Sequence, residues 1–294
     1  MIKRAKNRLP RYKKAKTSPP MILTERDKRI IGWVYQLLFL TSDQIKLLEF
    51  SEGSMTACRM RLALLYHNGY LSAVQKPVPT GYGSAKRIYC LSRKGKELIE
   101  HTHDGADLKD IKWTAKSNKV ADFFISHVLA INDVRIAFIS GIRRNKNYIL
   151  SWIPEWDIKS WKEKVEDPEN SGKTLPITPD AFFEIRGQKN RACYFLEVDR
   201  ATETNRRWRD KVKGYVEYVR SGKYYKRFKS ESLRILVATT TPERLNKLLK
   251  TTKSVKNADF FLFTTFQQIK DGDVLFGNIW KDSATDSLTK LVKF

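Results

Sequence analysis

From Thr24 the apolar positions recur at helical spacing: Ile30, Ile31, Val34, Leu37 and Leu38 run through TERDKRIIGWVYQLLF. Steps of three and four residues place them on one face, which predicts an amphipathic helix capped by Thr24. TSDQIKLLEF predicts a short second helix with Thr41 or Ser42 as its cap, and SEGS a turn. MTACRMRLALLYHNG predicts a third helix, with Leu62 and Leu65 inward, Arg59 and Arg61 outward, and Gly69 as its stop. YLSAV and RIYCLS read as strands around the basic, Pro- and Gly-containing QKPVPTGYGSAK, and SRKGKELIEH as a closing helix. Three helices followed by a hairpin is the order of a winged helix-turn-helix.

The periodicity lapses from His101 to Lys119, then returns as the strongly apolar VADFFISHVLAINDVRIAFISGI. His127 and Asn132 are its polar intruders, and a lone His on such a face reads as a satisfied core residue. Strands and helices then alternate. NYILSWI, LPITPDAFFEI and RACYFLEVD read as strands. ETNRRWRDKVKGYVEYVRSG reads as a helix striped by Trp208, Val212, Tyr215 and Val219. LRILVATTT, PERLNKLLKTT and ADFFLFTTF add a strand, a helix and a strand. The pattern predicts an α/β fold (α+β overall) in which a mixed sheet is flanked by helices. No apolar run reaches the length of a membrane span, so no membrane insertion is expected.

Charge changes the picture from fold to partner. The 294 residues carry 56 Lys and Arg against 32 Asp and Glu, a formal net charge of +24. Such an excess points to a polyanion such as DNA, RNA or an anionic membrane surface, and nucleic acid is the leading partner; beside a winged helix, double-stranded DNA is expected. The first twenty residues hold eight Lys or Arg and no acid, too little apolar surface to fold alone. The expected organisation is a disordered basic arm over 1–20, a winged helix over 21–100, a linker over 101–118 and the mixed-sheet domain over 119–294. Lys3, Arg4, Arg8, Arg11, Lys13 and Lys14 of the arm are expected to track phosphates. Arg59 and Arg61 of the third helix, with Lys76, Lys86 and Arg87 of the wing, are the other DNA-binding candidates. Cys58, Cys90 and Cys193 form neither a zinc spacing nor a disulfide framework, which fits a reducing cytoplasm.

Within this basic chain, CYFLEVD puts two acids on an apolar strand. Alternation places Glu197 and Asp199 on one face. RGQKN suits a tight hairpin; with Gln188 and Lys189 as its loop, Asp180 falls opposite Glu197. Carboxylates gathered this way need a cation, and hard oxygens beside phosphate suit Mg²⁺ or Mn²⁺. The plainer alternative is an ion-pair network with Arg200, Arg206 and Arg207.

TPDAFFEI followed by YFLEVDRATET resembles the Asp…Glu-x-Lys pattern of the restriction-endonuclease-like fold. With the N-terminal helices and SHVLAINDVR, the chain resembles the replication-relaxation family over roughly residues 24 to 270. That family includes plasmid mobilisation relaxases built on such a core. The resemblance implies Asp180 and Glu197 as metal ligands. Asp199 stands where a nuclease usually has Lys. It is then a third ligand, or a lysine comes from elsewhere (Lys211 on the next helix is the candidate), or the core does not cleave. The implied function is a metal-dependent DNA-strand endonuclease that nicks the origin of a plasmid or other mobile element. A single-stranded product and accessory mobilisation or replication proteins belong to that expectation. The alternative is a non-catalytic plasmid replication or transcription factor that uses a nuclease-like core to hold DNA or dimerise. HTHDG only weakly imitates the His pair of other relaxases, because Thr102 is its centre and no strand carries it.

Overall fold

The computed structural model describes residues 9–10, 13–50, 54–75, 87–102, 113–188 and 190–292. The chain divides into two compact units, 1–132 and 133–294. The division falls inside a helix rather than in the polar stretch 101–118, of which 103–112 lies outside the described residues.

In the first unit, α1 (Glu25–Leu37) starts at a capping box. The Asp27 carboxylate accepts from the Thr24 amide at 2.7 Å, and Asp27 N–H donates back to Thr24 Oγ1. Leu38 at φ 62° breaks the helix, and β1 (Phe39–Thr41) pairs with a later strand where the apolar spacing alone suggested more helix. Thr41, not Ser42, caps α2 (Ser42–Glu49). Then come α3 (Met55–His67), β2 (Leu71–Gln75), β3 (Arg87–Leu91) and α4 (Arg93–Thr102), with the strands in the order β1-β3-β2. The expected wing loop, with Lys76 and Lys86, lies outside the described residues.

Part of the basic segment is seated, which corrects the expectation of a free arm. Ala15 N–H donates to His67 Nδ1 at 3.0 Å, Ser18 Oγ to His67 O at 3.2 Å, and Asn68 Nδ2 to Pro19 O at 2.9 Å. These bonds satisfy polar groups at the end of α3, where helix carbonyls lack partners of their own. Lys3, Arg4, Arg8 and Arg11 lie outside the described residues.

The long helix α5 (Asp122–Arg144) has 23 residues and an apolar window of mean hydropathy 1.4. By length and composition alone it is long and apolar enough to cross a membrane, with Asp133 and Arg135 inside the run. Its buried side chains nevertheless pack against protein. Ile125 and Val128 join the cluster of Phe39, Ile88 and Cys90 in the first unit. Asn132 Nδ2 donates to Leu37 O at 2.9 Å and Phe39 O at 2.8 Å, which accounts for this intruder: it bonds the carbonyls exposed where α1 gives way to β1.

In the second unit follow β4 (Ile149–Pro154), α6 (Glu155–Ser160), the small hairpin β5 (Lys164–Glu166) and β6 (Thr174–Pro176), β7 (Ala181–Arg186) and β8 (Arg191–Val198). The rest is α7 (Asn205–Arg220), α8 (Lys223–Phe228), β9 (Leu233–Thr239), α9 (Pro242–Lys253), β10 (Phe261–Thr265), α10 (Phe266–Asp271), β11 (Trp280–Asp282) and β12 (Leu288–Thr289). One sheet runs β12-β11-β10-β9-β8-β7-β4. It is antiparallel through β4, β7 and β8, parallel through β8, β9 and β10, and antiparallel again at β11 and β12. This is the mixed α/β sheet flanked by helices that the sequence predicts.

Alternation decides what each sheet face holds. Phe182, Phe195, Ile235, Val237, Phe261 and Phe263 bury one face against Trp208, Val212 and Tyr215 of α7 and Leu248 of α9. Trp208 Nε1 donates to Leu248 O at 3.2 Å and Thr252 Oγ1 at 3.0 Å, bracing α7 on α9. On the other face Phe183 stacks between Trp152 and Tyr194 and meets Phe138 of α5.

Candidate active site

The β7–β8 hairpin has the register that a two-residue loop requires. Gly187 N–H donates to Asn190 O at 2.8 Å, and Ala181 pairs with Leu196. The ladder ends at that pair, and Asp180 is the residue before it, at the end of β8 that carries Glu197. Asp180 N–H donates to Leu196 O at 2.9 Å, and Asp180 Oδ2 accepts from Val198 N–H at 2.7 Å. Both carboxylates are buried.

Helix α7 crosses this end of the sheet. Thr204 caps it, accepting from Arg207 N–H at 3.3 Å. Lys211 and Tyr215, four residues apart, then occupy one helix face. Lys211 Nζ lies 2.7 Å from Glu197 Oε2 and 3.4 Å from Glu203 Oε1, and Tyr215 OH donates to Glu197 Oε1. The structure thus brings Lys211 to the acids, and adds two residues that sequence reasoning did not place there. The sequence pattern shows Tyr215 only as part of an apolar stripe; its position four residues after Lys211 is the available signal. Glu203 sits in an irregular loop, where periodicity is silent.

Electrostatics follow from burial and neighbours. Burial pushes the Glu197 carboxyl up to about 7; Lys211 opposes that shift and Asp180 adds to it. Burial alone would lower Lys211, but Glu197, Asp180 and Glu203 outweigh it and hold the ammonium above its ordinary range. Burial raises the Tyr215 phenol well above its ordinary value, and Glu197 adds to the effect. Tyr215 therefore stays protonated and donates.

Asp199 does not complete a triad of ligands. Strand β8 ends at Val198, and the Asp199 carboxylate faces Arg244 in the first turn of α9. Arg244 Nε and Nη2 each approach one Asp199 oxygen at 2.8 Å, and Thr239 Oγ1 donates at 2.7 Å. Arg244 Nη2 also donates to Glu203 O at 2.7 Å, so the same fork ties down the loop into α7. Burial pushes Asp199 up, but Arg244 and Thr239 overcome it and leave its pKa lowered. Among the described residues, no group of three or more His, Cys, Asp and Glu has a metal-holding arrangement. Two carboxylates remain, Asp180 and Glu197. That donor set is all hard oxygen and suits Mg²⁺ or Mn²⁺, since magnesium commonly takes one or two carboxylates and completes its shell with water and substrate phosphate.

The DNA-binding candidates separate. Arg59 is exposed on α3. Arg61 is not available: Nε donates to Asp27 Oδ1 at 2.7 Å, and Nη2 donates to the other oxygen and to Ile22 O. Asp27 is 0% exposed, so Arg61 neutralises a buried acid and ties α3 to the start of α1. The Arg87 guanidinium lies over the Tyr66 ring at 4.6 Å and reaches Pro10 O at 3.4 Å. Lys13 is exposed, and Lys14 lies 5.9 Å from the same Tyr66 ring.

The chain belongs to the replication-relaxation family, whose profile matches residues 31–230. A DNA-processing role fits that membership. No curated protein matches significantly. Among solved structures, the restriction endonuclease FokI is 10% identical, with 84% of this chain and 43% of that chain covered and a TM-score of 0.32. FokI bound to DNA is 12% identical, with 86% and 46% covered and a TM-score of 0.28. The chain spans less than half the length of either, and at such scores the likeness carries no weight.

Proposed function

We propose that this protein is a metal-dependent DNA-strand endonuclease of the relaxase type. Its first unit is a winged helix-turn-helix, its second a restriction-endonuclease-like core, and its substrate the origin of a plasmid or other mobile element in the cytoplasm. The observation that carries this reading is the 2.7 Å contact of Lys211 with Glu197, beside Asp180. An Asp, a Glu and a Lys meet at one strand end, with the lysine supplied by α7 because position 199 holds Asp.

In this reading Asp180 and Glu197 hold Mg²⁺ or Mn²⁺, which when bound supplies charge neutralisation and polarisation of a phosphoryl oxygen. Lys211 places an ammonium where negative charge grows on the phosphate. Tyr215 fixes one Glu197 oxygen and so limits the rotation of that carboxylate. The excess of basic residues supplies salt-dependent attraction to the phosphate backbone, and Arg59 on α3 is the residue best exposed to read bases. Accessory mobilisation or replication proteins and a nicked single strand follow from the same reading.

A non-catalytic replication or transcription factor is the second reading. Its support is that Lys211 and Tyr215 already engage both Glu197 oxygens. The deciding experiment incubates the full chain with supercoiled plasmid carrying its own origin, with Mg²⁺ or Mn²⁺ and then with chelator. Chelator-sensitive conversion to open circle supports the endonuclease. Origin binding without nicking, with partner proteins present, supports the factor.

A further inference from the structure

We infer that Glu203 is a positioning residue: it receives the Lys211 ammonium when Glu197 is given over to a cation. The inference rests on the metal reading above. Lys211 Nζ stands between two carboxylates, 2.7 Å from Glu197 Oε2 and 3.4 Å from Glu203 Oε1. As the protein stands, the ammonium neutralises Glu197, which is buried and lies beside Asp180. A divalent cation on Asp180 and Glu197 competes for that same oxygen and repels the ammonium. Lys211 must then either leave α7's sheet face or find another anion within a small rotation of its side chain. Glu203 is that anion.

The loop is built to hold it there. Arg244 grips the Glu203 carbonyl at 2.7 Å while its fork is locked on Asp199. Ala201 takes φ 60° to turn the chain, and Thr204 caps α7 one residue after Glu203. The backbone of Glu203 is therefore pinned from two sides, and its carboxylate is left to face Lys211. This also gives Asp199 a task without making it a ligand: through Arg244 it sets the loop that presents Glu203. A cation site whose own acid has a second acid to take its lysine can exchange one positive charge for another without leaving either unpaired.

The test is a double-mutant cycle read by isothermal titration of Mn²⁺ into the metal-free full chain, with no DNA present. Glu203→Gln keeps the size of the side chain and leaves the Arg244 bond to the carbonyl intact. It should weaken Mn²⁺ binding about tenfold, the lower end of what a supporting residue costs a metal site. Lys211→Met should strengthen binding, because the competing ammonium is gone. Adding Glu203→Gln to Lys211→Met should then change affinity less than about twofold, since nothing remains for Glu203 to receive. Glu203→Asp, which retains the charge on a shorter side chain, should recover part of the loss and guards against a folding defect in the Gln variant. An equal loss in both backgrounds overturns the inference by making Glu203 a direct ligand. Unchanged binding in Glu203→Gln alone overturns it too. Absence of Mn²⁺ binding by both wild type and Lys211→Met brings down the metal site itself, and the inference with it; binding indifferent to Glu203 brings down only the inference.

Discussion

Lys211 meets Glu197 at 2.7 Å across the end of the sheet, fourteen positions apart in the chain. If that contact belongs to a cleavage site, Asp180→Ala and Glu197→Ala should each abolish nicking of supercoiled plasmid while leaving DNA binding intact or improved, because each removes negative charge facing phosphate. Lys211→Ala should slow nicking about a hundredfold or more, the scale of losing one preorganised charge. Gel assays of open circle, beside equilibrium binding, separate the two effects.

The raised Glu197 carboxyl predicts a pH dependence of stability. The folded group titrates at about 7 and an exposed Glu at about 4.5, so between those values the folded state binds more protons. Its contribution is fully present below about 4.5 and is lost as pH rises through about 7. Glu197→Gln removes this titration. Denaturant midpoints of the metal-free proteins should diverge in favour of the variant over that window; parallel profiles would show that folding does not raise the Glu197 carboxyl.

Asp199→Ala should act on stability first. It strands Arg244, whose side chain is 11% exposed, without its carboxylate. Breaking one partner of such a pair costs about 3–5 kcal/mol, toward the lower figure here because Arg244 keeps its bond to Glu203 O. A lower melting temperature with unchanged Mn²⁺ stoichiometry is expected. Lost stoichiometry would restore Asp199 as a ligand.

Arg59 and Arg61 should behave differently despite being two residues apart. Arg59→Ala should weaken DNA binding, flatten its salt dependence and leave melting unaltered. Arg61→Ala should lower the melting temperature by leaving Asp27 buried without its cation, and should affect DNA only as far as the first unit loosens. Thermal melts alongside binding at two salt concentrations test both.

The site was legible wherever its geometry is local. The register that brings Asp180 to the Glu197 end of β8 follows from strand alternation and a short hairpin loop, and Lys211 from the helix after the strand. The pairing of Asp199 with Arg244 is not legible, because Arg244 comes forty-five residues later, and no period in the sequence connects the end of one strand with the cap of another helix. Arg61 failed for the same reason: Asp27 lies thirty-four residues earlier. Strands β1, β5 and β6 have three residues each, too few to show an alternation. The seating of residues 13–20 depends on polar atoms at the end of α3, which hydrophobic patterning does not register.

Both groups that grip Glu197 ride on one helix, a turn apart, and Trp208 bolts that helix to α9. Their positional errors are therefore correlated. A small slide of α7 carries the ammonium and the phenol together, so the carboxylate follows as a unit instead of losing one bond and keeping the other. Two separately mounted donors would need two independent tolerances to be met, whereas here the seating of one helix, braced by Trp208 on the Leu248 carbonyl and Thr252 hydroxyl, governs both.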